Sequence, residues 1–174
     1  MMRRRGSLST FPLGKRKTKM AKEIIQQVEE NRPDETHADA RMKVSVVSFS
    51  YPRGVPDDPD DDYWGGFVFD CRSLPDPHGI AALKGMSGLD KPVIDFFERH
   101  RDRIDNFLDA AEALVRQSID AFLMDGRDYL QVAFGCYGGH HRSVYMAERF
   151  AERLVGTPGI EIEVKHAAKE FWND

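Results

Sequence analysis

The sequence predicts an α/β fold: a mainly parallel β-sheet flanked by helices in a single domain. Short segments rich in β-branched and aromatic residues alternate with longer amphipathic segments, and this alternation is typical of a parallel sheet. A chain of 174 residues is long enough to bury one core of its own. The two cysteines both fall in or beside apolar strand segments, so no disulfide framework is indicated.

Residues 1–41 are predicted to form a basic N-terminal extension, disordered or weakly helical, before an α/β domain at residues 42–174. Residues 1–22 contain eight Lys and Arg and no Asp or Glu, whereas the rest of the chain carries a formal charge of −12. Segment 21–32 favours helix by propensity, but a proline and polar residues follow it. Such a block is usually a solvated tail; the alternatives are a targeting peptide or an RNA-binding arm at residues 3–22.

The first strand is predicted at MKVSVVSFSY, residues 42–51, where apolar and small polar residues alternate. A loop rich in Pro, Gly and Asp follows, and we interpret its acidic run at 57–62 as solvated rather than as a calcium site. FVFDCR, residues 67–72, is an almost continuous apolar run, which is typical of a strand buried on both faces. Its charged residues, Asp70 and Arg72, are expected at the carboxyl edge of that strand.

Two helices are predicted after an irregular segment at 73–88. The first begins in LDKPVIDFFERH, with Asp90 as the N-cap and Pro92 in the first turn. The second spans residues 102–124, where apolar residues recur at spacings of three and four, the pattern of a long amphipathic helix. YLQVAFGC, residues 129–136, then predicts another buried strand.

A third helix and a last strand complete the predicted fold. Residues 144–154 place apolar side chains on one helical face, and GIEIEVKHA, residues 159–167, alternates as a strand does. KEFWND closes the chain.

The junction FGCYGGHHRSVY, between the strand at 129–136 and the following helix, carries the strongest chemical signal. Ligands of such sheets bind outside the carboxyl ends of the strands. Gly138 and Gly139 permit a sharp turn that exposes backbone N–H groups, and the helix directs its N-terminal N–H groups to the same point. Arg142 adds a planar, permanently charged fork suited to phosphate oxygens. The pattern predicts an anion cradle with phosphate as its occupant.

The spacing Cys136-x5-Arg142-Ser143 also resembles the phosphate-binding loop of cysteine-dependent phosphatases, in which the cysteine thiolate is the nucleophile. In this interpretation Asp70 would serve as the general acid. Gly135 stands where those enzymes usually have a histidine. A hydrolytic enzyme is therefore the alternative, and a non-enzymatic binding domain is the main expectation.

Three blocks of the sequence resemble, in order, the C-terminal domain of the RapZ family of RNase adapter proteins, also called the YvcJ nucleotide-binding family. The blocks are FVFDCRSLPDPH, MSGLDKPVIDFFERH and VAFGCYGGHHRSVYMAERFAERL, and with the opening strand and SFSYPRG they cover residues 43–168. The resemblance implies a regulatory domain that binds glucosamine-6-phosphate. In enteric bacteria the domains of this family also bind small regulatory RNAs and present them to an endoribonuclease, so the resemblance implies RNA as a second partner.

The resemblance further implies a set of ligand-site residues in this chain. These are Asp70, Arg72, His78, Arg99, Cys136, Tyr137, Gly138, Gly139, His141, Arg142 and Ser143. Tyr137 departs from the family, which usually has a threonine there, and His140 replaces the lysine of the enteric members. Ala167 stands where the family tends to have arginine, so the basic RNA-binding end is missing and RNA binding would depend on residues 3–22.

Several classes of function are not expected from the sequence. It contains no Gly-x4-Gly-Lys-Ser/Thr loop, so ATP or GTP hydrolysis is not expected. His140 and His141 are adjacent and lack other ligands at metal-binding spacing, so neither a metal nor another cofactor is expected. No apolar run reaches the length of a membrane span, and we expect a cytoplasmic protein. The expected partners are a small phosphorylated metabolite, RNA, and a protein partner or a second copy of the chain.

Overall fold

A parallel sheet of four strands forms the centre of the domain, in the order β2-β3-β1-β4. The computed structural model describes residues 41–57 and 66–172. The strands are β1 (Met42–Ser50), β2 (Gly66–Asp70), β3 (Tyr129–Cys136) and β4 (Ile160–His166). The parallel pairing confirms the predicted fold class.

Three helices lie between the strands: α1 (Lys91–Glu98), α2 (Arg101–Met124) and α3 (Arg142–Leu154). The predicted long helix is present, and its buried residues, among them Ile104, Leu108 and Val115, recur at three- and four-residue spacing as an amphipathic helix requires. Helix α3 packs against β1, β3 and β4. It therefore brings its N-terminus to the carboxyl edge of the sheet.

The core lies between one face of the sheet and the three helices. Phe67, Val132, Val46 and Val164 stand side by side across the four strands, because the register pairs each with its neighbour. Phe150 of α3 is fully buried, with its ring 5.1 Å from that of Phe134. Burial of each large apolar side chain of this kind contributes about 1.5–3 kcal/mol.

The segment between β2 and α1 is built from three short 3₁₀ turns: Cys71–Ser73, Pro77–Gly79 and Ala81–Leu83. Two of them begin in the same way. Asp70 accepts a hydrogen bond from the N–H of Arg72, and Asp76 accepts one from the N–H of His78. Short polar side chains that bond to the backbone two residues later favour turns over helix or strand. Two further 3₁₀ turns among the described residues are Tyr51–Arg53, after β1, and Lys169–Phe171, after β4.

One local prediction was wrong. The strand at 67–72 was predicted to be buried on both faces and to reach Arg72, but β2 ends at Asp70 and Val68 is 48% exposed. The reason is that β2 is an edge strand. Asp90 is the N-cap residue of α1, as predicted, although its carboxylate accepts hydrogen bonds from the N–H and hydroxyl of Ser87 and not from the N–H groups of the helix.

The predicted basic extension lies outside the described residues apart from Arg41, as does most of the acidic run at 57–62. Within the described ranges, none of the helices combines the length and the apolar character needed to cross a lipid bilayer.

Candidate ligand-binding site

A cavity of about 760 Å³ opens at the carboxyl edge of the sheet, where β3 ends and α3 begins. Small-molecule sites have volumes of roughly 300–1,000 Å³ and are common at this edge of parallel sheets. The cavity is lined by four separate segments of the chain. Its residues are Asp76, His78, Lys84, Gly85, Cys136, Tyr137, Gly138, His140, His141, Arg142, Phe171 and Trp172.

The turn from β3 to α3 depends on Gly139. Its φ of +64° lies in the left-handed region, which side-chain-bearing residues rarely adopt. A Cβ at this position would lie 2.8 Å from the Cβ of Ala168 and 2.9 Å from the backbone nitrogen of Ser50. Gly138 differs, since a Cβ there would meet only the Cβ of His140, at 3.9 Å. The two glycines therefore have different roles: Gly139 is required by the backbone, and Gly138 leaves the cavity open.

Arg142, the first residue of α3, places a buried guanidinium at this turn. Its residue exposure is only 8%. One terminal nitrogen donates to the backbone carbonyl of Arg72 at 3.1 Å, and the other lies 2.8 Å from a carboxylate oxygen of Asp76. The Nε atom is buried and has no hydrogen-bond partner among the described residues. An unsatisfied N–H on a buried charged group costs about 1–3 kcal/mol or more, so this nitrogen favours an acceptor such as an anion.

Two histidines stand beside Arg142 and are mostly neutral near neutral pH. Burial lowers the pKa of His141, and burial likewise lowers the pKa of His140. His141 Nε2 lies 3.2 Å from the carbonyl oxygen of Leu83, which acts as the acceptor, and its ring centroid is 6.3 Å from that of His78. Among the described residues no side chain caps the first turn of α3. Its backbone N–H groups are therefore suited to hydrogen-bonding an anion, whereas the neutral His141 ring already uses its one N–H on Leu83.

Cys136 lies at the floor of the cavity with 3% exposure, and its Sγ is 3.1 Å from the hydroxyl oxygen of Ser143. The preceding residue, Gly135, packs directly under the rings of Phe49 and Tyr51, with no space for a side chain. A histidine before the cysteine is therefore excluded by packing. The second cysteine, Cys71, is fully buried as expected, and burial raises its pKa well above the ordinary value.

The residues predicted from sequence fall into three groups. Six of them line the cavity: His78, Cys136, Tyr137, Gly138, His141 and Arg142. Gly139, Ser143 and Arg72 lie behind the lining, where Gly139 shapes the turn, Ser143 contacts Cys136, and the carbonyl of Arg72 holds Arg142. Asp70 pairs with the Arg72 side chain at 2.7 Å, and Arg99 is exposed at the end of α1; neither lines the cavity.

Sequence reasoning missed several lining residues, including Asp76, Lys84, Phe171 and Trp172. Asp76 had a local signal, because it belongs to the DPH turn that contains His78. Phe171 and Trp172 had none. They come from the turn after β4 and reach the cavity only because that strand lies beside β1.

The fold and the cavity define an α/β domain with an anion-suited site at the carboxyl edge of a parallel sheet. The model of the RapZ C-terminal domain family matches residues 42–170, so the chain belongs to that family. A nucleotide-binding protein of Histophilus somni is 34% identical over 134 residues, which are 77% of this chain and 44% of that protein.

Two further relatives agree with this assignment. A nucleotide-binding protein of Thermobifida fusca is 37% identical over 128 residues, 74% of this chain and 41% of the relative. The RNase adapter protein RapZ of Yersinia pseudotuberculosis is 44% identical over 123 residues, 71% of this chain and 40% of the relative. The chain thus spans less than half the length of these relatives.

Proposed function

We propose that this chain is a regulatory domain that binds a small phosphorylated metabolite, an amino-sugar phosphate such as glucosamine-6-phosphate, in the cavity at the β3–α3 turn. The single observation that carries the proposal is the buried Arg142 Nε with no partner among the described residues. A phosphate oxygen would satisfy it through a charge-assisted hydrogen bond.

The surroundings of Arg142 support the same occupant. Backbone N–H groups are offered by the N-terminus of α3 and by the Gly138–Gly139 turn. In many proteins phosphate is bound by the N–H groups at a helix N-terminus. The two imidazoles of His140 and His141 gain a proton more readily next to a dianion, so binding is expected to strengthen as the pH falls toward their titration range.

Calorimetry with glucosamine-6-phosphate tests this proposal. Arg142→Ala is expected to weaken binding by about 1.5–3 kcal/mol, the range for hydrogen bonds to charged groups, which is roughly a 10- to 150-fold change in Kd. Arg153→Ala is the matched control, because Arg153 also lies on α3 but pairs with Asp105 of α2 and does not line the cavity. No binding of any sugar phosphate by the native chain, or equal losses in both variants, would contradict the proposal.

We also propose that ligand binding is communicated to an RNA or protein partner in the cytoplasm. The support is the name of one relative, an RNase adapter protein. The basic residues 3–22 are the proposed RNA contact, and they lie outside the described residues. RNA affinity is expected to fall steeply with salt and to be lost when residues 1–22 are deleted; affinity that survives the deletion would place the RNA site elsewhere.

The second candidate function, a cysteine-dependent phosphatase, is favoured by the 3.1 Å contact between Cys136 Sγ and the Ser143 hydroxyl beneath the cavity. Against it stand the exclusion of any side chain at Gly135, where those enzymes usually have a histidine, and the 3% exposure of Cys136. Turnover of an aryl phosphate by the native chain that Cys136→Ser abolishes would establish the enzyme.

A further inference from the structure

The two cysteines are neighbours at the carboxyl edge of the sheet. Strands β2 and β3 pair in parallel as far as Asp70 and Gly135, and the next residues along the two strands are Cys71 and Cys136. Asp70 is itself extended, with φ −87° and ψ 103°, so the chain keeps the direction of β2 up to the Cα of Cys71. Adjacent strands lie about 4.8 Å apart, and the Cα atoms of a disulfide lie roughly 4.4–6.8 Å apart. The backbone spacing at this pair therefore suits a disulfide.

Both cysteine side chains lie on the face of the sheet that carries the core. Residues two apart in a strand share a face, and each cysteine follows a core phenylalanine by two residues. These phenylalanines, Phe69 and Phe134, are register partners, and their ring centroids lie 5.3 Å apart. Cys71 and Cys136 belong to the same buried cluster. The two thiols are therefore side by side on one face.

The electrostatics of Cys71 indicate the same proximity. Burial raises the pKa of the Cys71 thiol, and a negative charge on Cys136 raises that pKa further. A backbone hydrogen bond from Gly135, the residue before Cys136, acts on the Cys71 pKa in the opposite direction. The sulfur of Cys71 thus lies against the end of β3.

The two thiols differ in their access to the cavity. Cys136 lines the cavity with 3% exposure, whereas Cys71 has 0% exposure and is not among the lining residues. A small oxidant that enters the cavity therefore meets Cys136 first. Cys71 is reached only through Cys136.

We propose that Cys71 and Cys136 form a reversible disulfide within the chain when hydrogen peroxide enters the cavity. In the first step Cys136 Sγ bonds to one peroxide oxygen, the O–O bond breaks, and the thiol proton leaves with the other oxygen as water. In the second step Cys71 Sγ bonds to Cys136 Sγ, the S–O bond of the sulfenic acid breaks, and a second water leaves with the Cys71 proton. Two thiols are oxidised, and one peroxide is reduced to two waters.

The disulfide would lie directly beside the contact that holds Arg142. Cys71 begins the turn whose next residue, Arg72, accepts a hydrogen bond from Arg142 through its backbone carbonyl. A bond from Cys71 to β3 would restrict this turn. Neither the proposed metabolite site nor the phosphatase alternative gives Cys71 a role, so the inference stands apart from both.

The test treats the reduced native chain with hydrogen peroxide and measures its mass, intact and after digestion without reductant. The product is expected to have lost the mass of two hydrogen atoms, to contain one peptide pair joined through Cys71 and Cys136, and to migrate as a single chain on a non-reducing gel. Dithiothreitol should restore both thiols. Dimedone, which labels sulfenic acids, should label Cys136 in a Cys71→Ala variant. In the matched Cys136→Ala variant, Cys71 should react about tenfold or more slowly than Cys136, because it is fully buried.

Three results would overturn the inference. A native chain that gains oxygen at Cys136 while Cys71 stays reduced would show that the two sulfurs do not meet. Disulfides between chains in place of the internal bond would show the same, and two unreactive thiols in the folded chain would show that the cavity does not admit the oxidant. The measurement on the native chain needs no substitution, so it decides the question even if circular dichroism shows that a variant is unfolded.

Discussion

Replacing Gly139 with alanine tests the geometry of the β3–α3 turn directly. At φ +64° an alanine is strained by about 1–2 kcal/mol. The new Cβ would also lie 2.8 Å from Ala168 and 2.9 Å from the Ser50 nitrogen, and relief of such overpacking costs about 1–3 kcal/mol. The expected loss is about 2–5 kcal/mol, a large part of the roughly 5–15 kcal/mol that stabilises a typical domain.

Urea denaturation and thermal melting measure this loss, and the expected fall in Tm is roughly 8–20 °C for a domain of this size. Gly138→Ala is the matched control: its Cβ meets only one atom, at 3.9 Å, and its φ is not positive. It should cost less than about 1 kcal/mol. A Gly139→Ala variant as stable as the native chain, or a Gly138→Ala variant equally damaged, would refute the assignment of the left-handed turn to Gly139.

Three further predictions concern pH and packing. Burial lowers the pKa of His141 and of His166, so below the ordinary value of about 6.5 the unfolded chain binds more protons than the folded one. The free energy of unfolding should therefore fall as the pH drops from about 6.5 to 5, and a His166→Gln variant should show a shallower fall; stability that rises on acidification would contradict the sign. Burial and a hydrogen bond to a carboxylate of α1 raise the pKa of Tyr145 to about 12. In a titration that follows tyrosine ionisation by absorbance, Tyr145→Phe should therefore remove the step at the highest pH. A variant that keeps this step would refute the contact. Gly88→Ala would place a Cβ 2.5 and 2.6 Å from backbone atoms at the start of α3 and should cost about 1–3 kcal/mol in urea unfolding, whereas Gly85→Ala, with open space around it, should be neutral.

The strand and helix pattern was predictable because each element carries its own periodicity. The buried face of α2 and the alternation in β1 and β4 are local properties of the chain. The position of the cavity was predictable as well, since the carboxyl end of a parallel strand and the N-terminus of the next helix lie at the same edge of the sheet. That geometry was enough to predict that Gly138, Gly139 and Arg142 lie at this edge.

What could not be predicted depends on which strands are neighbours. The apolar run of β2 reads like a central strand, but the sheet order places it at an edge, where Val68 is half exposed. Phe171 lines the cavity because β4 lies next to β1. No local sequence pattern predicts which strands pair. Arg99 was assigned to the site by resemblance; it is exposed at the end of α1 and is not among the residues that line the cavity.

The cavity is lined by four separate segments of the chain, so a ligand can bind in it only when the whole domain is folded. Asp76, Lys84, Arg142 and Trp172 come together only when every strand has paired, so an unfolded chain retains no fraction of the site. A ligand present at one hundred times its Kd adds about 2.7 kcal/mol to the free energy of unfolding, because it binds the folded state alone. Proteolysis in cells tracks the population of open molecules, so under the proposed function the lifetime of this protein would rise and fall with the supply of the bound metabolite.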